Sequence, residues 1–120
     1  MSELFFFDSY CFFEIIRGNE NYKKYEEANI ITSIFNLAEL NYGLKKEKSE
    51  KVANEITEKY RPFLIEVSLE DVMEAMSFKL KNKKLSITDA IGYVMAKKFN
   101  AKFLTGDCGF EGMTNVEFVK

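Results

Sequence analysis

Apolar and polar positions fall in blocks along this 120-residue chain, and the blocks read alternately as strands and helices. Residues 3–7 carry a short continuous apolar run, Leu4-Phe5-Phe6-Phe7, the signature of a strand buried on both faces of a parallel sheet. Asn29-Ile30-Ile31-Thr32 is a second strand candidate, and Ser33 is placed to cap a helix running to about Lys46, with Gly43 inside it as a weak point. A polar helix from about Ser49 to Tyr60 stops at Arg61-Pro62, and Phe63–Val67 then reads as a third strand. Ser68-Leu69-Glu70-Asp71 has capping-box spacing and opens a helix to about Asn82. Ser86 or Thr88 begins a further helix to about Phe99, Lys102–Thr105 is a fourth strand, and Val116–Val119 is a candidate fifth.

Strands separated by one or two helices predict an α/β fold. The expectation is a single domain over residues 1–120, with a central parallel sheet of four to five strands and helices on both faces. Sites in such sheets gather at the carboxyl ends of strands, where Asp8 and Asp107 fall by position. The expected core contains Phe5, Phe7, Ile31, Leu37, Leu40, Ile91, Val94 and Leu104.

Composition narrows the chemistry. A chain of this length buries roughly two thirds of its unfolded surface, enough for a real core. Aromatic residues make up 15% of it, with 12 Phe, which leaves room for apolar surface shared with a partner. Cys11 and Cys108, with no export signal, are expected as free thiols. The apolar runs are far shorter than the roughly 18 residues a membrane span needs, and the N-terminus lacks the marks of a signal peptide, so a cytoplasmic location with no membrane contact is expected. There is no histidine. That excludes Ser-His-Asp and Cys-His systems, histidine bases and the usual zinc enzymes, leaving carboxylates, lysines, tyrosines or a metal. The net charge of −2 lacks the basic excess of many nucleic-acid binders. Acids that hold a divalent ion lower that tally, however, and the bound ion reverses the local sign.

Asp8, Glu39, Asp89 and Asp107 each stand in a small or apolar local setting. Each has an ordinary reading. Asp8 could cap a helix starting at Ser9, and Glu39 could be an exposed charge on a helix that is apolar on two sides. Asp89 completes the capping-box spacing Ser86-Ile87-Thr88-Asp89, and Asp107 could be a turn residue in Gly106-Asp107-Cys108-Gly109. Against these readings, a lone buried carboxylate is costly unless a partner neutralises it. Four converging carboxylates call for a cation, and oxygen-only ligation points to magnesium or manganese. The small residues Ala90, Gly92 and Ala96 would let their helix approach the sheet and aim Asp89 at the strand ends. Thr105, two residues before Asp107, offers a hydroxyl to that carboxylate or to a metal-bound water.

Taken together, the segments Phe7-Asp8-Ser9, Ser33 to Gly43 with its Glu39-Leu40, Thr88-Asp89-Ala90-Ile91 and Leu104-Thr105-Gly106-Asp107-Cys108-Gly109-Phe110 resemble the PIN domain family. The likeness extends over essentially the whole chain and is nearest to the small stand-alone ribonuclease toxins called VapC. The chain departs from that pattern beside the last Asp, where a basic residue is frequent and Gly106 and Cys108 stand here. The resemblance implies a metal-dependent endoribonuclease in which Asp8, Glu39, Asp89 and Asp107 hold one or two Mg2+ or Mn2+ ions and Thr105 orients the cluster. It implies hydrolysis of RNA phosphodiester bonds, with RNA placed near Lys83 and Lys84, a homodimer, and a cognate antitoxin that silences the toxin. The alternative is a PIN-like scaffold that binds RNA or protein without cutting. A haloacid-dehalogenase-type phosphatase needs a second Asp two residues after the first, where this chain has Tyr10.

Overall fold

The apolar run at the start of the chain becomes the strand against which the rest is laid. The computed structural model describes residues 3–120. Strand β1 (Leu4–Phe7) leads into helix α1 (Ser9–Ile16), a 3-10 turn at Glu20–Tyr25, and strand β2 (Asn29–Ile31). Helices α2 (Ile34–Glu47), α3 (Glu50–Glu58), α4 (Leu69–Lys81) and α5 (Ile87–Lys98) follow, then strands β3 (Lys102–Thr105) and β4 (Val116–Phe118). The four strands are parallel in the order β2-β1-β3-β4. The chain runs from β1 to one side and returns on the other, so β1 and β3 flank the switch point where open parallel sheets form a crevice.

Alternation along the strands sends side chains to both faces. Phe6 and Phe103 stack at 5.7 Å under α4 and α5, with Ala90, Ile91 and Met95 around them. Phe5, Phe7 and Leu104 point the other way, against Cys11, Phe12, Leu37, Leu40 and Leu44 of α1 and α2. Burial on both faces is why these strands read as unbroken apolar runs. A Cβ on Gly92 would lie 2.9 Å from both Phe6 and Phe103, so glycine there sets the close approach of α5 to the sheet. The expected core residues are buried except Ile31, which is only partly covered near the edge strand.

The expected third strand over Phe63–Val67 does not form. Arg61–Phe63 is a 3-10 turn with Pro62 at its start, and only Leu64 pairs, as an isolated bridge to Thr32. The cause is the neighbour: β2 ends at Ile31, and Ser33 caps α2 and turns the chain away, so nothing extends beyond Thr32 to pair with. The candidate last strand forms over Val116–Phe118. Both thiols are free, Cys11 buried and Cys108 exposed. Among the described residues no helix is long and apolar enough to cross a membrane.

Candidate active site

Parallel register builds the site. Phe7 pairs with Leu104, so Asp8 and Thr105, the next residues on the two central strands, come side by side at the carboxyl edge. Asp8 is buried; its Oδ1 accepts the Ser9 N–H at 2.8 Å, and its Oδ2 accepts the Thr105 hydroxyl at 2.6 Å. The helix-capping reading of Asp8 therefore holds, and it also puts the carboxylate at the centre of the cleft. Thr105 serves Asp8 rather than the Asp107 carboxylate: its Oγ1 accepts the Asp107 N–H at 3.0 Å. Sequence proximity suggested Asp107, but the strand pairing brings Asp8 nearer.

Asp89 keeps its cap as well. Its N–H donates to Ser86 Oγ and its Oδ2 accepts the Ser86 N–H, each at 3.0 Å. Asp107 caps the short turn at Cys108–Phe110, accepting the Gly109 N–H at 3.1 Å. Glu39 accepts the Ser9 hydroxyl at 2.6 Å. Only Asp8 is buried; Asp89 is half-buried, while Glu39 and Asp107 are exposed. The argument from buried charge applies to Asp8 alone, because the other three stand on the rim.

All four carboxylates line one open cleft of about 560 Å³, together with Tyr10, Phe13, Tyr42, Lys46, Cys108 and Lys120. Burial pushes the Asp8 carboxyl up to about 7, opposed by the Thr105 hydrogen bond and reinforced by the charges of Asp89 and Glu39. Burial also raises Asp89, which its bonds to Ser86 oppose and the charges of Asp107 and Glu39 reinforce. None of the ion pairs among the described residues uses any of the four. The donor set is oxygen only and unneutralised, which suits a hard divalent cation. No three of these acids among the described residues form a ready ligand cluster.

Sequence reasoning missed the support beneath Glu39. Ser33 donates its hydroxyl to Asn36 Oδ1 at 2.6 Å, Asn36 Nδ2 donates to Ser9 Oγ at 3.1 Å, and Ser9 in turn donates to Glu39. Asn36 and Ser33 are fully buried. The signal was Asn36 one helical turn before Glu39, a polar residue on the buried face of α2. Lys46 and Lys120 were missed as cleft residues too; Lys83 and Lys84 are not among its lining.

A family model described as the PIN domain matches residues 5–115. The chain belongs to the PIN domain family. Solved structures agree in fold. A chain of a toxin–antitoxin complex from Klebsiella pneumoniae superposes with a TM-score of 0.74 at 23% identity, covering 97% of this chain and 96% of that one. VapC20 of Mycobacterium tuberculosis, described as a sarcin-ricin loop cleaving toxin, gives 0.75 at 16% identity, covering 93% and 98%. VapBC2 from Rickettsia felis, bound to a DNA fragment from its promoter, gives 0.70 at 21% identity, covering 98% and 99%. A search of curated protein sequences gives no match. At these identities the likeness carries the PIN fold, and the chemistry rests on the residues of this chain.

Proposed function

We propose that this PIN domain is a divalent-metal-dependent endoribonuclease, using Mg2+ or Mn2+, and acts as the toxin of a toxin–antitoxin pair. The observation that carries the reading is the buried Asp8, held by Ser9 and Thr105 at the switch point of the sheet, with Glu39, Asp89 and Asp107 around the same cleft. The whole chain, residues 1–120, acts as one PIN domain in this account. Asp8, Glu39, Asp89 and Asp107 would hold the ion, directly or through water. Bound there, it would lower the pKa of an attacking water and neutralise charge on the phosphoryl transition state. The protein's own part is positional. Thr105 fixes Asp8, Ser9 fixes Glu39, and the Ser86 cap fixes Asp89.

The toxin role draws on the structural relatives whose descriptions name toxin–antitoxin assemblies. A cognate antitoxin, a homodimer and a cytoplasmic setting belong to the same proposal. A second reading, a PIN scaffold that binds RNA or protein without cutting, is favoured by one observation, the lack of a tight three-acid cluster among the described residues. Incubating a mixed pool of structured and unstructured RNAs with Mn2+, Mg2+ or chelator separates the two. Chelator-sensitive cutting that disappears in Asp8→Asn is expected; binding without cutting under every condition would favour the scaffold.

A further inference from the structure

We propose that Tyr42 and Lys46 form a subsite for one unpaired RNA nucleotide next to the scissile phosphate, a reading that rests on the ribonuclease function above. Glu39, Tyr42 and Lys46 stand at steps of three and four residues along α2, so they share one face of the helix, and all three line the cleft. With a rise of about 1.5 Å per residue, Tyr42 lies about 4.5 Å and Lys46 about 10 Å beyond Glu39 along the helix axis. The order acid, ring, cation repeats the order of groups along a strand: the phosphate being cut at the metal-holding acids, then a base, then the next phosphate.

Tyr42 is 67% exposed, and the ammonium of Lys46 sits 4.7 Å from its ring centroid. Singly exposed aromatic side chains are common and need no explanation by themselves. This one differs in its surroundings. Gly43 beside it carries no side chain, and a Cβ there would lie 2.5 Å from Cζ of Phe13, so the tip of the Phe13 ring packs against the backbone next to Tyr42, and Phe13 lines the same cleft. The Lys46 ammonium lies over one face of the Tyr42 ring, so a base would stack on the other, solvent-exposed face. Stacking on a protein ring requires a base freed from a helix, which favours single-stranded or looped RNA over duplex. Lys46 then supplies a phosphate contact that is insensitive to sequence.

The test uses the otherwise wild-type protein as parent with Ca2+, an oxygen-ligated ion chosen to support binding without cutting, and reads affinity for a short mixed-sequence single strand by fluorescence anisotropy. Adding Tyr42→Ala should weaken binding by roughly 5- to 150-fold, the range for losing one stacked base, while Tyr42→Phe, which keeps the ring, should stay near the parent. Lys46→Gln should weaken binding and lower the salt slope by about one. Both side chains are on the surface, so the variants should fold as the parent does. A parent that binds while Tyr42→Ala binds equally well overturns the subsite alone. Equal weakening by Tyr42→Phe and Tyr42→Ala also overturns it, since the ring would then not be the contact. A parent that binds no RNA removes the ribonuclease reading and the subsite with it.

Discussion

Replacing Asp8 with Asn should stabilise the metal-free protein above neutral pH, and the size of the effect follows from the burial of one carboxyl group. In the folded chain Asp8 loses its proton near pH 7, against 3.8 as its ordinary value. The folded state therefore holds a proton that the unfolded state has released between those two values, and stability falls as pH rises through that window. The gap corresponds to about 4 kcal/mol in total, at about 1.4 kcal/mol for each pH unit. Asn is close to the protonated side chain in shape and can still accept the Ser9 N–H, but it cannot ionise. Below about pH 4 the variant should match wild type to within about 1 kcal/mol, the value of one altered hydrogen bond to Thr105, and by pH 5 it should already lead by about 1.5 kcal/mol. Between pH 5 and 8 the difference in favour of Asn should grow by about 2.5 kcal/mol and then level off. Urea titrations of both proteins in chelator across that range measure it. A stability difference that does not change with pH, or one that grows in favour of wild type, would refute the claim that Asp8 is a desolvated carboxyl held without a cation.

Three further outcomes follow from the same geometry. Because only the ionised Asp8 can ligate a cation, Mn2+ affinity should rise about tenfold per pH unit below about 7 and flatten above it, measurable by calorimetry at several pH values; a flat profile would detach Asp8 from the metal. Ser9→Ala leaves the buried Asn36 amide without its partner and frees Glu39, so urea melts should show a loss of about 1–3 kcal/mol and RNA cutting should fall as well. Gly106→Ala drives a Cβ into the Val119 carbonyl and the Tyr10 ring, and the overpacking should lower stability by about 1–3 kcal/mol in the same assay; a neutral result would mean that the chain end beside the cleft yields easily.

The parts of the fold that could be read from the sequence were those set by local pattern. Leu4–Phe7 and Lys102–Thr105 are short apolar runs because both faces of their strands are covered, and the serine caps at Ser33, Ser49, Ser68 and Ser86 mark the starts of four helices. The rest depends on contacts far along the chain. Residues 63–67 look like a strand, but the partner strand had already ended. The polar segment Glu20–Tyr25 gives no periodic signal, yet it is anchored by the Tyr22 hydroxyl on the Val119 carbonyl at 2.6 Å and the Tyr25 hydroxyl on Glu117 at 2.7 Å.

The candidate site divides in the same way. Its acids stood out because each stands in a small or apolar local setting, and all four line one cleft. The pairing of Thr105 with Asp8 comes from strand register, and Lys120 reaches the cleft from the far end of the chain. Neither leaves a mark on the local sequence. Capping and cleft-lining, which read as rival roles for Asp8 and Asp89, turn out to be compatible, since each carboxylate has two oxygens and a cap occupies one of them.

The central claim is that these carboxylates hold a divalent ion, and the most direct test is titration of Mn2+ into the chelator-stripped protein, followed by calorimetry, beside Asp8→Asn and Asp89→Asn. The account predicts saturable binding to wild type that is lost or strongly weakened in both variants. No binding to wild type, or equal binding to all three proteins, would contradict it.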